Sequence, residues 1–213
     1  MALIKFENIG LRAISATVPH RVVKTREMTE YYTEEEIEKF VSATGVEERR
    51  FVEPDQCASD LCFKSACQIF DETDIKREDI DMLFFISQTP DYKIPGTSII
   101  MQDKLGLRKD TVVYDVNMSC SGFIHGLMMA YSFLQHPGIN NIMVMVGDTL
   151  SKMISLKDKG TGKLLGDAGT VSVISKGAQY GESFFSMCTE GDNVETVIVK
   201  GGGGAEFQVL LRP

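Results

Sequence analysis

Apolar and polar residues alternate loosely from Leu3 to Val18, a period of two that predicts a strand. Pro19 breaks it. Thr33-Glu34-Glu35-Glu36 stands ahead of Ile37, Phe40 and Val41. A threonine followed three residues later by glutamate is the capping-box signature of a helix start, and Gly45 supplies the stop. Glu47 to Glu53 is charged and predicts a solvated stretch. Between Ser59 and Phe70, the residues Leu61, Cys62, Ala66, Ile69 and Phe70 share one broad helical face. Asp81 to Ser87 encloses a continuous apolar run, the pattern of a strand covered on both sides.

Thr97 to Leu105 predicts a short helix closed by Gly106, and Thr111 to Val116 a buried strand. Phe123 to Gln135 has helical spacing and is ended by Pro137-Gly138. Asn141 to Val146 is a second buried strand. Strand, helix, strand, helix, strand predicts parallel pairing with right-handed crossovers, an α/β fold. Ala168 to Ser175 and Glu195 to Lys200 predict further strands, with Phe184 to Cys188 a weaker one. No internal repeat or low-complexity linker interrupts the pattern.

The chain has 213 residues, 43% hydrophobic and 24% charged, ordinary for a soluble globular protein and enough for one or two domains. A net charge of -8 argues against nucleic acid as the default partner. No apolar run reaches the length of a membrane span and no charged-then-apolar leader opens the chain, so the expectation is cytoplasmic, with no membrane partner. Of five cysteines, Cys57, Cys62 and Cys67 recur every five residues, which turns them to different faces of a helix. They make neither a metal set nor a disulfide framework, and packing explains them, as it does Cys188. No metal site is expected. The eleven methionines read as core filler.

Cys120 stands where the Thr111 strand hands over to the Phe123 helix. The first amides of a helix lack partners within it, and the dipole is positive there. Both effects favour a thiolate over a thiol, and the same amides can cradle an oxyanion. Ser119, Ser121 and Gly122 are small and leave room for a substrate. The alternative on position alone is a structural cysteine at a tight turn. His125 lies five residues on, rotated from Cys120 by about 140° on a helix, away from a direct base role. His136 ends a helix, where a cation suits the dipole, and His20 carries no signal. Gly201 to Gly204 and Gly160-Thr161-Gly162-Lys163 lack the spacing of a phosphate loop and read as turns. Leu165-Gly166-Asp167-Ala168-Gly169 reads as a tight turn before a strand.

Val113-Tyr114-Asp115-Val116-Asn117-Met118-Ser119-Cys120-Ser121-Gly122-Phe123 resembles the nucleophile segment of the 3-ketoacyl-(acyl-carrier-protein) synthase III family, condensing enzymes of the thiolase fold. Other pieces similar to the family follow its order. They are Ala43-Thr44-Gly45-Val46-Glu47-Glu48-Arg49-Arg50, Asp79-Ile80-Asp81, Gln88-Thr89-Pro90-Asp91, Ile94-Pro95-Gly96-Thr97-Ser98, Gly147-Asp148-Thr149-Leu150-Ser151-Lys152 and Leu165 to Gly169. The resemblance covers nearly the whole chain. It implies a layered α/β sandwich, αβαβα in a full-length member, of which residues 1–176 would be the first half and 177–213 the opening of the second.

The resemblance further implies acyl transfer to Cys120, then decarboxylative condensation with malonyl-acyl carrier protein, in fatty-acid or polyketide-type synthesis. No cofactor is implied; acyl-CoA or acyl-carrier protein and malonyl-carrier protein are substrates. The family's His and Asn belong to its second half, which this sequence lacks, so of the catalytic set only Cys120 carries over. Gly122, Phe123 and Lys152 would border the substrate, and Ile94 matches a position that closes the acyl tunnel of the partner subunit in a homodimer. The family's CoA-using members place a Trp near the position of Lys39. This chain has no Trp, Ala43 replaces one Arg and Lys152 another, so a carrier-protein donor is expected. Arg49, Arg50, Lys104, Arg108 and Lys109 are candidates for a basic carrier-protein patch. Two other readings remain: a non-catalytic binding or dimerisation module, and a non-decarboxylating thiolase-fold acyltransferase.

Overall fold

The computed structural model describes residues 2–199. In chain order they form β1 (Ala2–Glu7), β2 (Ile9–Thr17), β3 (Arg21–Lys24), α1 (Glu34–Thr44), β4 (Glu48–Phe51), α2 (Ala58–Glu72), β5 (Met82–Ile86), α3 (Thr97–Lys104), β6 (Val112–Val116), α4 (Gly122–Phe133), β7 (Asn141–Thr149), β8 (Asp167–Lys176) and β9 (Glu182–Met187). Residues 2–5 and 184–199 belong to a small unit that carries the β1–β9 pair, and residues 6–183 form the main unit.

The main unit is built on a five-stranded sheet in the order β2-β8-β7-β5-β6. β6, β5 and β7 run parallel, with Leu83 opposite Val113 on one side and Met143 on the other. These are the strands joined by helical crossovers, as the pattern predicts. β8 lies antiparallel to β7, and β2 antiparallel to β8, so the sheet is mixed rather than parallel throughout. The connection from β7 to β8 contains only the 3-10 turn Leu150–Lys152. Without a helix to carry the chain over the sheet it returns alongside β7 in the opposite sense.

Helices cover both faces. Leu83 and Phe85 of β5 join Ala58, Cys62, Ala66 and Ile69 of α2 and Met101 of α3 in one core cluster. Successive strand side chains point oppositely, and Ile86 and Val144 meet α4 on the other face. Every residue of β5 is buried, which is why its sequence is apolar without alternation.

The approach of α4 depends on small residues. Gly122, Gly126 and Ala130 are buried at intervals of one helical turn. A Cβ on Gly126 would overlap Ile86 Cδ1 and come within 3.2 Å of Val144 Cγ1.

At α1 the capping box is complete: Thr33 Oγ1 accepts from Glu36 N at 3.3 Å, and Thr33 N donates to Glu36 Oε2 at 3.0 Å. Gly45 closes that helix at φ 70°. Other expectations change. The Leu3 to Val18 segment is two strands, broken at Asn8, whose φ is 58°. Glu47 to Glu53 is only partly solvated: Glu47, Glu48 and Glu53 are exposed, but the stretch holds β4, paired with β3, and buries Arg49, Phe51 and Val52. Instead of a strand, Val194–Thr196 is a 3-10 turn; Lys200 lies outside the described residues. Among those residues no helix is long and apolar enough to cross a membrane.

Gly126→Ala is expected to destabilise the protein by about 1–3 kcal/mol through overpacking, read as a lower denaturant midpoint at unchanged m-value. A second expectation concerns acid. The Lys159 ammonium, then the Thr33 amide, hold the Glu36 carboxyl at about 2, below the unfolded value of about 4.3. Its contribution is therefore present above the unfolded value and lost as pH falls through about 2. The protection factors of the amides in the first turn of α1 should fall over that window in the native protein and show no such step in Glu36→Gln.

Candidate active site

β5 and β6 end side by side at Ile86 and Val116, and β7 runs on past Val146, opposite Ile86, to Thr149 at the same edge of the sheet. Ligand sites of open α/β sheets lie beyond the carboxyl ends of such strands. Cys120 is exposed there, in the single 3-10 turn Ser119–Ser121 that leads into α4. Ser119 takes a left-handed φ of 48°, uncommon without glycine. Ser121 Oγ donates to Met118 O at 2.9 Å and closes the turn. The expected hand-over from strand to helix is present, with α4 starting at Gly122.

The end of β5 grips this turn from two sides. Ser87 N donates to Val116 O at 3.3 Å. A cavity of about 120 Å³ is lined by Phe85, Ser87, Pro90, Asp115, Val116 and Asn117. On the far side of the turn, a Cβ on Gly122 would stand 2.6 Å from Ile86 Cγ2. The cavity and the height of α4 thus both depend on the β5 terminus.

Aspartates hold the surrounding loops. Asp148 accepts from Gln88 N at 2.6 Å, Ser87 Oγ at 3.0 Å, Thr89 N at 3.1 Å, Gln88 Nε2 at 3.1 Å and Thr89 Oγ1 at 3.2 Å. Asp115 accepts from Thr97 N and Ser98 N, each at 2.7 Å, and caps α3. Asp167 is buried and accepts from Val52 N at 2.8 Å, Ser151 N at 2.9 Å and Ser151 Oγ at 2.5 Å. All three stand within the longer family-like segments, where spacing does not mark them for this role. An Asp next to the end of an apolar run is the available signal. Asp167 opens β8 instead of lying in a turn before it.

A second cavity, of about 440 Å³, is lined by Cys57, Asp91, Tyr92, Lys152 and Met153, among others. Lys152 Nζ donates to the carbonyls of Pro54 at 3.0 Å and Gln56 at 2.5 Å, which anchors the loop ahead of α2. Asp91 accepts from Ser59 Oγ at 2.7 Å, and burial raises its carboxyl pKa. Phe123 is half-buried and Gly122 buried. Ile94 is 89% exposed. His125 Nδ1 lies 3.1 Å from the carbonyl of Ser121 on its own helix. His136 Nδ1 accepts from Gly138 N at 3.3 Å.

The five candidate basic residues differ in their surroundings. Arg49 is 5% exposed, donates to the carbonyls of Gly162 at 2.8 Å and Leu165 at 3.2 Å, and sits over the Phe51 ring. Burial lowers its pKa. It is an internal strut and offers no landing surface. Arg50 pairs with Glu48, Lys104 with Asp60, and Arg108 with Asp81 and Asp110. Each of those cations already has a carboxylate beside it. Lys109 is exposed.

The remaining cysteines differ in surroundings. Cys62 is wholly buried. Its sulfur stands 2.9 Å from where a Cβ on Gly147 would be, and its amide nitrogen 2.6 Å from a Cβ on Gly169. Gly147 and Gly169 face each other across β7 and β8, so α2 seats in a notch without side chains. Burial pushes the Cys62 thiol up to about 12 and also raises that of Cys57. Cys188 is exposed, contrary to a packing role. No group of residues able to hold a metal ion occurs among the described residues. Gly160 to Lys163 turns around Asp158, which accepts from Gly160 N at 2.9 Å and Thr161 N at 2.7 Å; no phosphate cradle forms there. Gly201 to Gly204 lie outside the described residues.

A cysteine turn at the carboxyl edge of parallel strands, with helices on both faces of the sheet, is a thiolase-like α/β arrangement. Residues 114–193 match the profile of the family described as 3-Oxoacyl-[acyl-carrier-protein (ACP)] synthase III. The chain is similar to a beta-ketoacyl-[acyl-carrier-protein] synthase III of Fusobacterium nucleatum, 33% identical over 92% of this chain and 60% of the relative. A relative of the same name from Levilactobacillus brevis is 35% identical over 84% of this chain and 54% of its own length. A 3-oxoacyl-(acyl-carrier protein) synthase from Burkholderia xenovorans superposes with TM-score 0.93 and 28% identity, over 97% of this chain and 59% of that one. The chain is thus similar, along nearly its whole length, to members of the 3-oxoacyl-(acyl-carrier-protein) synthase III family. It spans 60% or less of the length of the curated relatives named here.

In the native protein at pH 8, iodoacetamide is expected to label Cys120 and Cys188 and to leave Cys62 untouched, because Cys62 is both covered and held near 12. Peptide mass mapping before and after denaturation checks this; native labelling of Cys62 would contradict the packing described.

Proposed function

We propose that the chain carries the acyl-accepting part of a 3-ketoacyl-(acyl-carrier-protein) synthase III, with Cys120 as nucleophile. The supporting observation is the exposed Cys120 at the start of α4, inside the segment that matches the family profile. Its thiolate attacks the carbonyl of an acyl thioester, the donor thiol leaves, and the acyl group stays on sulfur. A malonyl thioester on a carrier protein then loses CO2. The resulting enolate carbon attacks the acyl carbonyl, forms the new C–C bond and returns the Cys120 thiolate. Charge gathers on a thioester oxygen in both stages and needs donors aimed at it. The Cys120 amide is one; the family resemblance assigns others to its second half. The thioesters supply all the reacting groups, so the reaction takes no cofactor.

The acyl donor is bound to a carrier protein, because no Trp is present to stack on adenine. The carrier docks elsewhere than on Arg49, which is buried. The reaction belongs to fatty-acid or polyketide-type synthesis in the cytoplasm. Residues 1–176 are read as the first half of the thiolase-like sandwich. The active form is a homodimer. β6 is an edge strand with Val112 and Tyr114 more than 40% exposed, and an uncovered apolar edge favours pairing with a second sheet.

Intact-mass analysis after incubation with acyl-carrier protein is expected to show one acyl adduct, absent from Cys120→Ala. Iodoacetamide should label Cys120 faster than Cys188. No adduct, together with equal or slower labelling at Cys120, would favour a binding module instead. Tyr114→Arg is expected to shift the protein toward monomer on gel filtration; a wild type already monomeric at tens of micromolar would count against the dimer.

A further inference from the structure

Asp148 touches no reacting group, yet five donors from Ser87, Gln88 and Thr89 converge on its carboxylate. Thr89 Oγ1 also accepts from Thr149 N at 2.8 Å, so the loop after β5 is tied twice to the end of β7. This short segment continues directly into Pro90. Pro90 and Ser87 line the 120 Å³ cavity together with Phe85 and with Asp115 to Asn117. Asn117 is followed by the cysteine turn. Ile86, immediately before Ser87, is the residue against which Gly122 seats at the other end of that turn. Both flanks of Cys120 are therefore fixed by the β5 terminus, and the β5 terminus is fixed by Asp148.

We propose that Asp148 is a positioning residue for Cys120. By clamping Ser87 to Thr89 it sets the Pro90 wall, and that wall limits the size of the group that reaches the sulfur. The assignment rests on the acyl-transfer reading and extends it to selection by acyl size. A short side chain with two acceptor oxygens suits the task because it can take several donors from one loop at once. A displacement of about 1 Å at such a wall is enough to change reactivity by about a hundredfold.

The test compares alkylation of the intact chain by iodoacetamide and by the bulkier N-cyclohexylmaleimide, resolved by site through peptide mapping. The bulky-to-small rate ratio at Cys120 is divided by that at exposed Cys188, which cancels reagent chemistry. In Asp148→Ala the normalised ratio is expected to rise by at least about fivefold as the wall loosens. Asp148→Asn keeps an oxygen for the Ser87 and Thr89 donors and is expected to lie within about twofold of wild type. Should the alanine variant lose its native circular dichroism, Thr89→Val carries the test, with an expected rise of at least about threefold. A normalised ratio unchanged in a natively folded Asp148→Ala or Thr89→Val would overturn the proposal. An asparagine variant as altered as the alanine one would overturn it too, since charge and not placement would then be acting. The acyl-transfer reading fails by a different sign, a wild type in which Cys120 takes no acyl group, whatever the ratio shows.

Discussion

The architecture around Cys120 depends on a supply of hydrogen-bond acceptors at the carboxyl edge of the sheet. Where β5, β6 and β7 stop, the chain leaves the ladder and its amides lose their partners. Unpaired amides at such a boundary cost about 1–3 kcal/mol each when covered. Carboxylates from the strand ends take those amides: Asp115 on β6, Asp148 on β7 and Asp167 at the start of β8. Each reaches a different loop, so the edge becomes a set of fixed loops. A reactive turn placed on mobile loops would lose the orientation that acyl transfer requires.

Much of this was legible in the residues. The capping box at Thr33, the all-apolar β5 and the strand-to-helix hand-over at Cys120 follow from local chemistry, and local chemistry is what a sequence displays directly. The sense of β8 was not legible. Periodicity reports which positions are covered and is blind to the direction of a neighbouring strand. The burial of Arg49 was hidden for a related reason. Its carbonyl partners, Gly162 and Leu165, lie more than a hundred residues away, and charge alone suggested solvent. The three aspartates were quoted as parts of motifs, but their donors come from other loops and no spacing connects them.

Geometry also separates what the site contains from what surrounds it. The cysteine is open and its helix begins where expected, whereas of the candidate basic residues Arg49 is buried and Arg50, Lys104 and Arg108 stand beside carboxylates. An acidic protein has few cations left over once its own carboxylates are matched. Recognition of an acidic partner through a few unpaired residues, such as Lys109, would be weak and salt-sensitive, because exposed charges are strongly screened.

The notch formed by Gly147 and Gly169 beneath Cys62 has a consequence for how this scaffold can diversify. With backbone atoms of β8 and α2 already within 2.6–3.2 Å of any added carbon, neither glycine can grow a side chain unless the helix lifts off the sheet. Variation there runs one way: the cysteine can give ground to something smaller, while the floor below it has nothing left to lose. Mutational scans of the scaffold should find this spot intolerant of bulk from below.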